Sequence, residues 1–513
     1  MNGAESLART LLASGVDTCF ANPGTSEMHF VAALDRVAGL RCVLGLAEGA
    51  VAGMADGYAR IADKPAATLL HCMPGLGNAI ANLHNARRAF APIVNIVGDQ
   101  ATWHQRHDPP LSADTEGLAR TVSRWVRSCG SAAEVGPAAA EAVHAARVPP
   151  GGIATLVLPA DCAWDEGAAP GKPLVPQTRA VVDPGRIRAI AAALRGGAPS
   201  CIVLNGDGLS EAGLRAANRI AYATGAALKT PTQVPRMARG RGRAPVDRIP
   251  YPVDAALKTL SGTRHLVLAG AKAPVGFFAY PGKPSTLWPR DCELHRLAEI
   301  DEDIVGSLEA LADELSAPRS APLREDFAKP ELHGGPFKPE PFAFSLAALL
   351  PENAVVAEDG VTSGRALFPP TWGAAPHDWI QITGGAIGHA FPAATGAAIA
   401  APGRRVVCLQ ADGGGMYSLQ ALWTQAREKL DVVSVVFANR RYAILQSELE
   451  AVGAQPGPAS KDLFDLARPG IRWTKLAEGM GVEAVRVETL EAFTDAFSSA
   501  CARRGPFLIE FSI

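Results

Sequence analysis

The sequence predicts an α/β protein of three consecutive open parallel-sheet domains, and two observations carry that reading. Short apolar runs alternate with segments rich in Ala, Leu and Arg along almost the whole chain, the pattern of βα units in a parallel sheet. Two stretches crowded with proline interrupt the alternation, and 513 residues are too many for a single core. In the first block, assigned to residues 1–165, the runs are VDTCF from Val16, RCVLGL, AATLLH, PIVNIVG and IATLVLP. AWDEGAAPGKPLVPQTRAVV then reads as a linker. The second block, 183–317, opens with a helix from about Pro184 to Leu194 and continues through SCIVLNGDG, HLVLAGA and ELHRLAEID. From Ala317 to Pro341, prolines and charges forbid a regular element and mark a second linker. The third block, 341–513, carries AVVAEDG, DWIQITGG, RRVVCLQADGG, DVVSVVFAN, VEAVRVE and the closing FLIEFSI.

Composition narrows the function classes. Hydrophobic residues make up 48% and charged ones 19%, with a formal net charge of only -2, so neither nucleic acid nor a membrane surface is expected as a partner. Nine cysteines without a CxxC pair argue against a disulfide framework or a zinc knuckle and fit a reducing cytoplasm. No uncharged apolar run reaches the roughly 18 residues a membrane span needs. A soluble, cytoplasmic protein is expected.

Ligands of open parallel sheets sit beyond the carboxyl ends of the strands, so function belongs in the strand-to-helix loops. Four stand out: ANPGTSE at 21–27, LAEGAVAG at 46–53, HCMPGLGNA at 71–79 and TGGAIGHAFP at 383–392. The stretch from Asp412 to Asn439 says most. An acid followed by three glycines, a helix, and an apolar strand that stops at an amide bring a carboxylate and a carboxamide to one end of the sheet. With the backbone carbonyl of Arg441 they offer oxygen ligands to Mg²⁺, and the amides of Gly413 and Gly414 can face a diphosphate that the ion bridges. Alone, Asp412 could equally cap the following helix while the glycines make a tight turn. NGDGLSEAG at 205–213 is a weak candidate nucleotide loop, and the basic run RMARGRGRAPVDR at 236–248 is expected to be solvated rather than bound to phosphate.

ADGGG, followed 27 residues from acid to amide by ANRRY, resembles the thiamine diphosphate motif, departing from it at Ala411, where that family usually has glycine. The resemblance extends over almost the whole chain, to the acetolactate synthase and benzoylformate decarboxylase branch of thiamine diphosphate enzymes. It implies a pyrimidine-binding domain, a central domain and a diphosphate-binding domain, with thiamine diphosphate and Mg²⁺ as cofactors. LAEGAVAGMADGYAR is similar to the segment of the activating glutamate, which puts Glu48 in that role. There a carboxyl at N1′ of the aminopyrimidine favours its imino tautomer, and the coenzyme can then lose its own C2 proton. In GGAIG the resemblance makes the Gly385 carbonyl an acceptor for the 4′-amino group and Ile387 the apolar wedge between the rings. Gly24, Thr362 and Ser363 fall where relatives contact the coenzyme. His71 matches an active-site histidine of benzoylformate decarboxylases, and Thr25 a substrate-contacting serine.

Departures shape the expected reaction. The chain has no HH pair, and VGFFAYPGKP offers Phe277 and Phe278 where benzoylformate decarboxylases supply a second histidine from the central domain; Phe278 is taken as a substrate contact. A site short of proton donors leaves time for attack on a second carbonyl. The expected function is therefore decarboxylation of a small 2-oxo acid with carboligation of the acyl carbanion to a second carbonyl. Simple decarboxylation and a cofactor-binding but silent family member are the alternatives, with a nucleotide-dependent oxidoreductase using NGDGLSEAG as a rival of another class. The central domain holds FAD, ADP or nothing. The resemblance also implies a homodimer or homotetramer with active sites between subunits.

Overall fold

The computed structural model describes residues 1–323 and 329–513, so part of the second linker, 324–328, lies outside the described residues. The N-terminal sheet contains β1 (Thr18–Ala21), β2 (Arg41–Leu44), β3 (Ala66–Leu70), β4 (Ile93–Asp99), β5 (Trp125–Ser128) and β6 (Ile153–Pro159), in the order β2-β1-β3-β4-β6-β5, all parallel. The central segment supplies β7 (Ser200–Leu204), β8 (Ala227–Thr230), β9 (Met237–Arg239), β10 (Asp247–Arg248), β11 (His265–Ala269) and β12 (Glu293–Ala298). Five of these form a parallel sheet in the order β10-β8-β7-β11-β12. The C-terminal segment supplies β13 (Ala354–Asp359), β14 (His377–Gln381), β15 (Val406–Ala411), β16 (Val432–Ala438), β17 (Glu483–Val487) and β18 (Phe507–Ser512). β16, VVSVVFA, is buried along its whole length, as a β-branched central strand covered on both faces should be.

Two sequence expectations change here. The third sheet runs β17-β18-β16-β15-β13-β14-β9, so the central segment lends it an antiparallel edge strand. That strand belongs to the basic run expected to be solvated. Arg239 is fully buried, its guanidinium 3.8 Å from the Phe368 ring and 4.1 Å from Trp372, and it donates to Thr371 Oγ1 at 2.7 Å. Flanking aromatic faces and a hydroxyl acceptor replace water around it, which charge counting along the sequence does not reveal. The second linker is also shorter than expected, since a helix already begins at Pro339, in the first-turn position that tolerates proline.

The outer domains share one apolar core, joined where helix Glu48–Ala62 crosses helix Ala390–Ala400. Glycine sets that crossing: a Cβ on Gly57 would stand 2.1 Å from the Ala393 carbonyl oxygen, and one on Gly396 1.9 Å from that of Met54. Burial here is accompanied by a polar seal. Asp56 accepts from Arg60 Nε at 2.8 Å and from His389 Nε2 at 2.7 Å, and Arg60 Nη1 donates to the Gln381 carbonyl at 2.6 Å. Buried charges are tolerated only when paired and hydrogen-bonded in this way. No helix among the described residues is long and apolar enough to cross a membrane.

Candidate active site

The residues singled out in the outer domains leave the carboxyl ends of neighbouring strands. β1 runs into the loop of Gly24 and Thr25, β2 leads to Glu48, and β3 to His71. In the third sheet β13 precedes Thr362 and Ser363, β14 precedes Gly385 and Ile387, β15 precedes Asp412, and β16 precedes Asn439.

Asp412 is buried, and its two oxygens are spread between neighbouring segments: Oδ1 accepts the N–H of Gly413 at 2.8 Å and Oδ2 that of Arg440 at 2.7 Å. Asn439 Oδ1 accepts the N–H of Arg441 at 3.1 Å, and Arg440 between them takes a left-handed φ of 53°. Burial raises the Asp412 carboxyl above its ordinary range, opposed by the N–H groups of Arg440 and Gly413. A buried acid beside an amide oxygen is a hard-oxygen donor set that a divalent cation would stabilise in its charged form. The glycines are required by packing. A Cβ on Gly413 would stand 2.5 Å from Tyr442 Cε1, and one on Gly414 3.0 Å from Gln410 Nε2 and 3.6 Å from Ile387 Cβ. The acid turn and the GGAIG loop are thus in contact.

That loop is held from two sides. Asp359 Oδ2 accepts the N–H groups of Gly388 at 2.7 Å and His389 at 3.0 Å, together with Gln410 Nε2 at 3.1 Å. From the N-terminal domain, Asn85 donates Nδ2 to the Ala386 carbonyl at 2.8 Å and accepts the N–H of Gly384 at 3.1 Å. Gly385 has φ 79° and lies against the central domain: a Cβ there would be 3.1 Å from Phe277 Cζ. Of the aromatic pair, Phe277 reaches the loop, while Phe278 packs edge-on against it at 4.9 Å and is 56% exposed. Ser363 is buried and Thr362 half-buried in the turn after β13.

In the N-terminal domain, Glu48 opens its helix, buried, and Oε2 accepts from Asn78 Nδ2 at 3.1 Å. His71 Nδ1 donates to Glu27 Oε2 at 3.0 Å and lies 3.2 Å from Ser26 Oγ, which itself donates to Glu27. A hydrogen committed from Nδ1 to a carboxylate leaves Nε2 as the basic nitrogen. Gly24 lies beneath this ring, where a Cβ would stand 2.1 Å from Cγ. Thr25 begins the short 3₁₀ turn beside it and makes none of these bonds. Glu27, Ser26, Asn78, Asp359 and Phe277 had no role assigned from sequence. All lie in quoted motifs or strands, and Asp359 has the same grammar as Asp412: an acid at a strand end before glycine.

The candidate nucleotide loop lines a cavity of about 650 Å³. Its nearby arginines are already paired, Arg179 with Asp207 at 2.9 Å and Arg236 with Asp63 at 3.0 Å.

Such a fold, with a buried acid, an amide and glycines gathered at its strand ends, is that of a ligand-binding α/β protein. The chain belongs to the thiamine pyrophosphate enzyme family. Residues 1–118 match the model of the thiamine pyrophosphate enzyme N-terminal TPP binding domain, and residues 368–511 that of the C-terminal TPP binding domain. It is 50% identical over 99% of its length to a Mycobacterium tuberculosis protein named "Putative acetolactate synthase large subunit IlvX", covering 98% of that protein. It is 28% identical over 97% of its length to benzoylformate decarboxylase of Pseudomonas aeruginosa, covering 96% of it. Among solved structures, the thiamine diphosphate-dependent 4-hydroxybenzoylformate decarboxylase of Rhodococcus jostii RHA1 superposes with a TM-score of 0.89 at 26% identity, over 100% of this chain and 99% of that one.

Proposed function

We propose that this thiamine diphosphate enzyme decarboxylates a small 2-oxo acid and joins the acyl carbanion equivalent to a second carbonyl. The observation that carries the reading is the corner in which buried Asp412 spans Gly413 and Arg440 next to the Asn439 amide. Asp412, Asn439 and the Arg441 carbonyl would hold Mg²⁺, while Thr362, Ser363, Gly413 and Gly414 would border the diphosphate and Gly24, in the N-terminal domain, would contact the coenzyme. When bound, the coenzyme supplies an electron sink for the acyl group left after CO₂ departs.

The protein's own work is positioning and proton control. Gly385 offers its carbonyl to the aminopyrimidine, and Ile387 presents a branched side chain held by the Asp359 and Asn85 contacts to its loop. Glu48, kept in place by Asn78, handles the proton at the pyrimidine nitrogen. His71, its Nδ1 tied to Glu27, offers Nε2 for proton transfer at the reacting 2-oxo acid, beside Thr25. Phe277, with Phe278 behind it, closes the site as an apolar wall that donates no proton. This wall and the full-length similarity to a protein with an acetolactate synthase name support carboligation; the His71–Glu27 pair, with the decarboxylase relatives, favours simple decarboxylation as the second reading.

Glu48 and the Asp412 corner share no hydrogen bond among the described residues of one chain. We take the working unit to be a homodimer or a pair of dimers in which one copy's Glu48 faces the other's corner. Incubation with a panel of 2-oxo acids, thiamine diphosphate and Mg²⁺, followed by mass spectrometry, tests the reaction: a 2-hydroxyketone is expected, and an aldehyde alone would select the decarboxylase. No product from any acid would remove both.

A further inference from the structure

The central sheet carries a second cluster of ligating side chains, distant in topology from the loops of the outer domains. His265 opens β11, and Glu293 and His295 stand two residues apart on β12. The parallel register pairs His265 with Glu293 and Val267 with His295, so alternation puts all three side chains on one face. His265 Nδ1 lies 3.0 Å from His295 Nε2, and Glu293 Oε2 lies 3.7 Å from the first and 3.8 Å from the second. The two imidazoles are mostly buried, with 18% and 11% exposure, and Glu293 at 67% leaves the cluster open to water on one side.

A hydrogen bond between two neutral imidazoles accounts for the shortest of these distances but leaves the carboxylate beyond bonding range of both rings. A cation accounts for all three. The point equidistant from three atoms so separated lies about 2 Å from each, the length of zinc–imidazole and zinc–carboxylate bonds. Two imidazoles and one carboxylate also form a donor set that selects zinc over magnesium, so this cluster would not compete for the ion expected at Asp412.

We propose that His265, Glu293 and His295 form a Zn²⁺ site with a solvent oxygen in the fourth position. For both ring nitrogens to present lone pairs, the hydrogen shared between them moves to the outer nitrogen of its ring, and no other bond changes. The site lies at the amino ends of β11 and β12, opposite the strand ends where chemistry is placed in such sheets, so it acts on the sheet and not on the reaction proposed above, its solvent ligand leaving it open as three-ligand zinc sites are. β12 is the edge strand of the central sheet, and the ion clips it to its neighbour.

The test uses the full-length protein, stripped with chelator and resupplied with Mg²⁺ and thiamine diphosphate, then dialysed against Zn²⁺ with the bound metal counted. One zinc per chain is expected. His265→Asn, His295→Gln and Glu293→Gln should each weaken binding by more than the roughly 10–100-fold that losing a mere hydrogen-bond partner of a ligand costs. The Zn²⁺-dependent rise in melting temperature should fall in step. Cys72→Ser, which removes a ligand from the separate Glu27–His71–Cys72 group, should retain the zinc. Should the histidine variants fail to fold, Glu293→Gln decides, because its side chain is exposed. Unchanged affinity there, loss of the zinc in Cys72→Ser instead, or no zinc retained by the wild type would each overturn the site.

Discussion

The carboxylate of Asp412, at the end of β15, accepts the backbone N–H of Arg440, just past the end of β16, at 2.7 Å. One bond thereby fixes the spacing between acid and amide, since Asn439 immediately precedes Arg440. Replacing Asp412 by Ala removes the corner's carboxylate together with an acceptor for two N–H groups. Thiamine diphosphate affinity in Mg²⁺ should fall by roughly 100-fold, the scale of losing hydrogen bonds to a charged group. Titration calorimetry checks this, and wild-type affinity in the variant would mean that the coenzyme is held elsewhere.

Glu48 tests the other half of the site. Glu48→Gln keeps the size of the side chain and an oxygen that can accept from Asn78, but not the acid. Turnover should fall by about 10²–10⁴-fold, the range for losing a positioned proton-transfer group, with coenzyme affinity largely kept. Steady-state kinetics beside calorimetry separates the two quantities; undiminished turnover would exclude Glu48 from proton control.

Gly24 offers a steric test of the histidine. Its φ of -117° is open to any residue, so alanine meets no backbone strain, only the His71 ring 2.1 Å from the new Cβ. His71 must swing away from Glu27, and misplacement by about 1 Å costs on the order of 100-fold in rate. Gly24→Ala should therefore lower kcat while the melting temperature changes little. If kcat were unaffected, His71 would not be a proton-transfer group at the reacting centre.

What was legible in the sequence follows from the range of the interactions involved. β16 and the acid-to-amide motif are written in contiguous residues, so both the strand and the end at which it delivers Asn439 could be read directly. Arg239 could not. Its burial depends on Phe368, Trp372 and Thr371, more than a hundred residues away, and a cationic run with no visible partner reads as solvated. The same limit hid the Asn85 grip on the GGAIG loop and the approach of Phe277 to Gly385, both set by contacts between domains. Glu27 was closer to hand: it lies in the same short loop as Gly24, and only the fold of β1 against β3 brings it to His71.

Asp359 gives the chain a pH dependence with a definite sign. Burial lifts its carboxyl to about 7, against the pull of Gln410 and of the Gly388 and His389 N–H groups. Since Oδ2 accepts from all three, the proton belongs on Oδ1, which is buried and has no hydrogen-bond partner among the described residues. A native value above the unfolded one means that the folded chain keeps a proton the unfolded chain has released. This contribution is fully present below about pH 4, declines as pH rises, and is lost above about 7, a swing of up to about 4 kcal/mol. Asp359→Asn retains an acceptor for the loop and removes the titration. Urea denaturation from pH 4 to pH 8 should show wild-type stability falling relative to the variant across that window; parallel curves would mean that Asp359 is already ionised in the native loop at low pH.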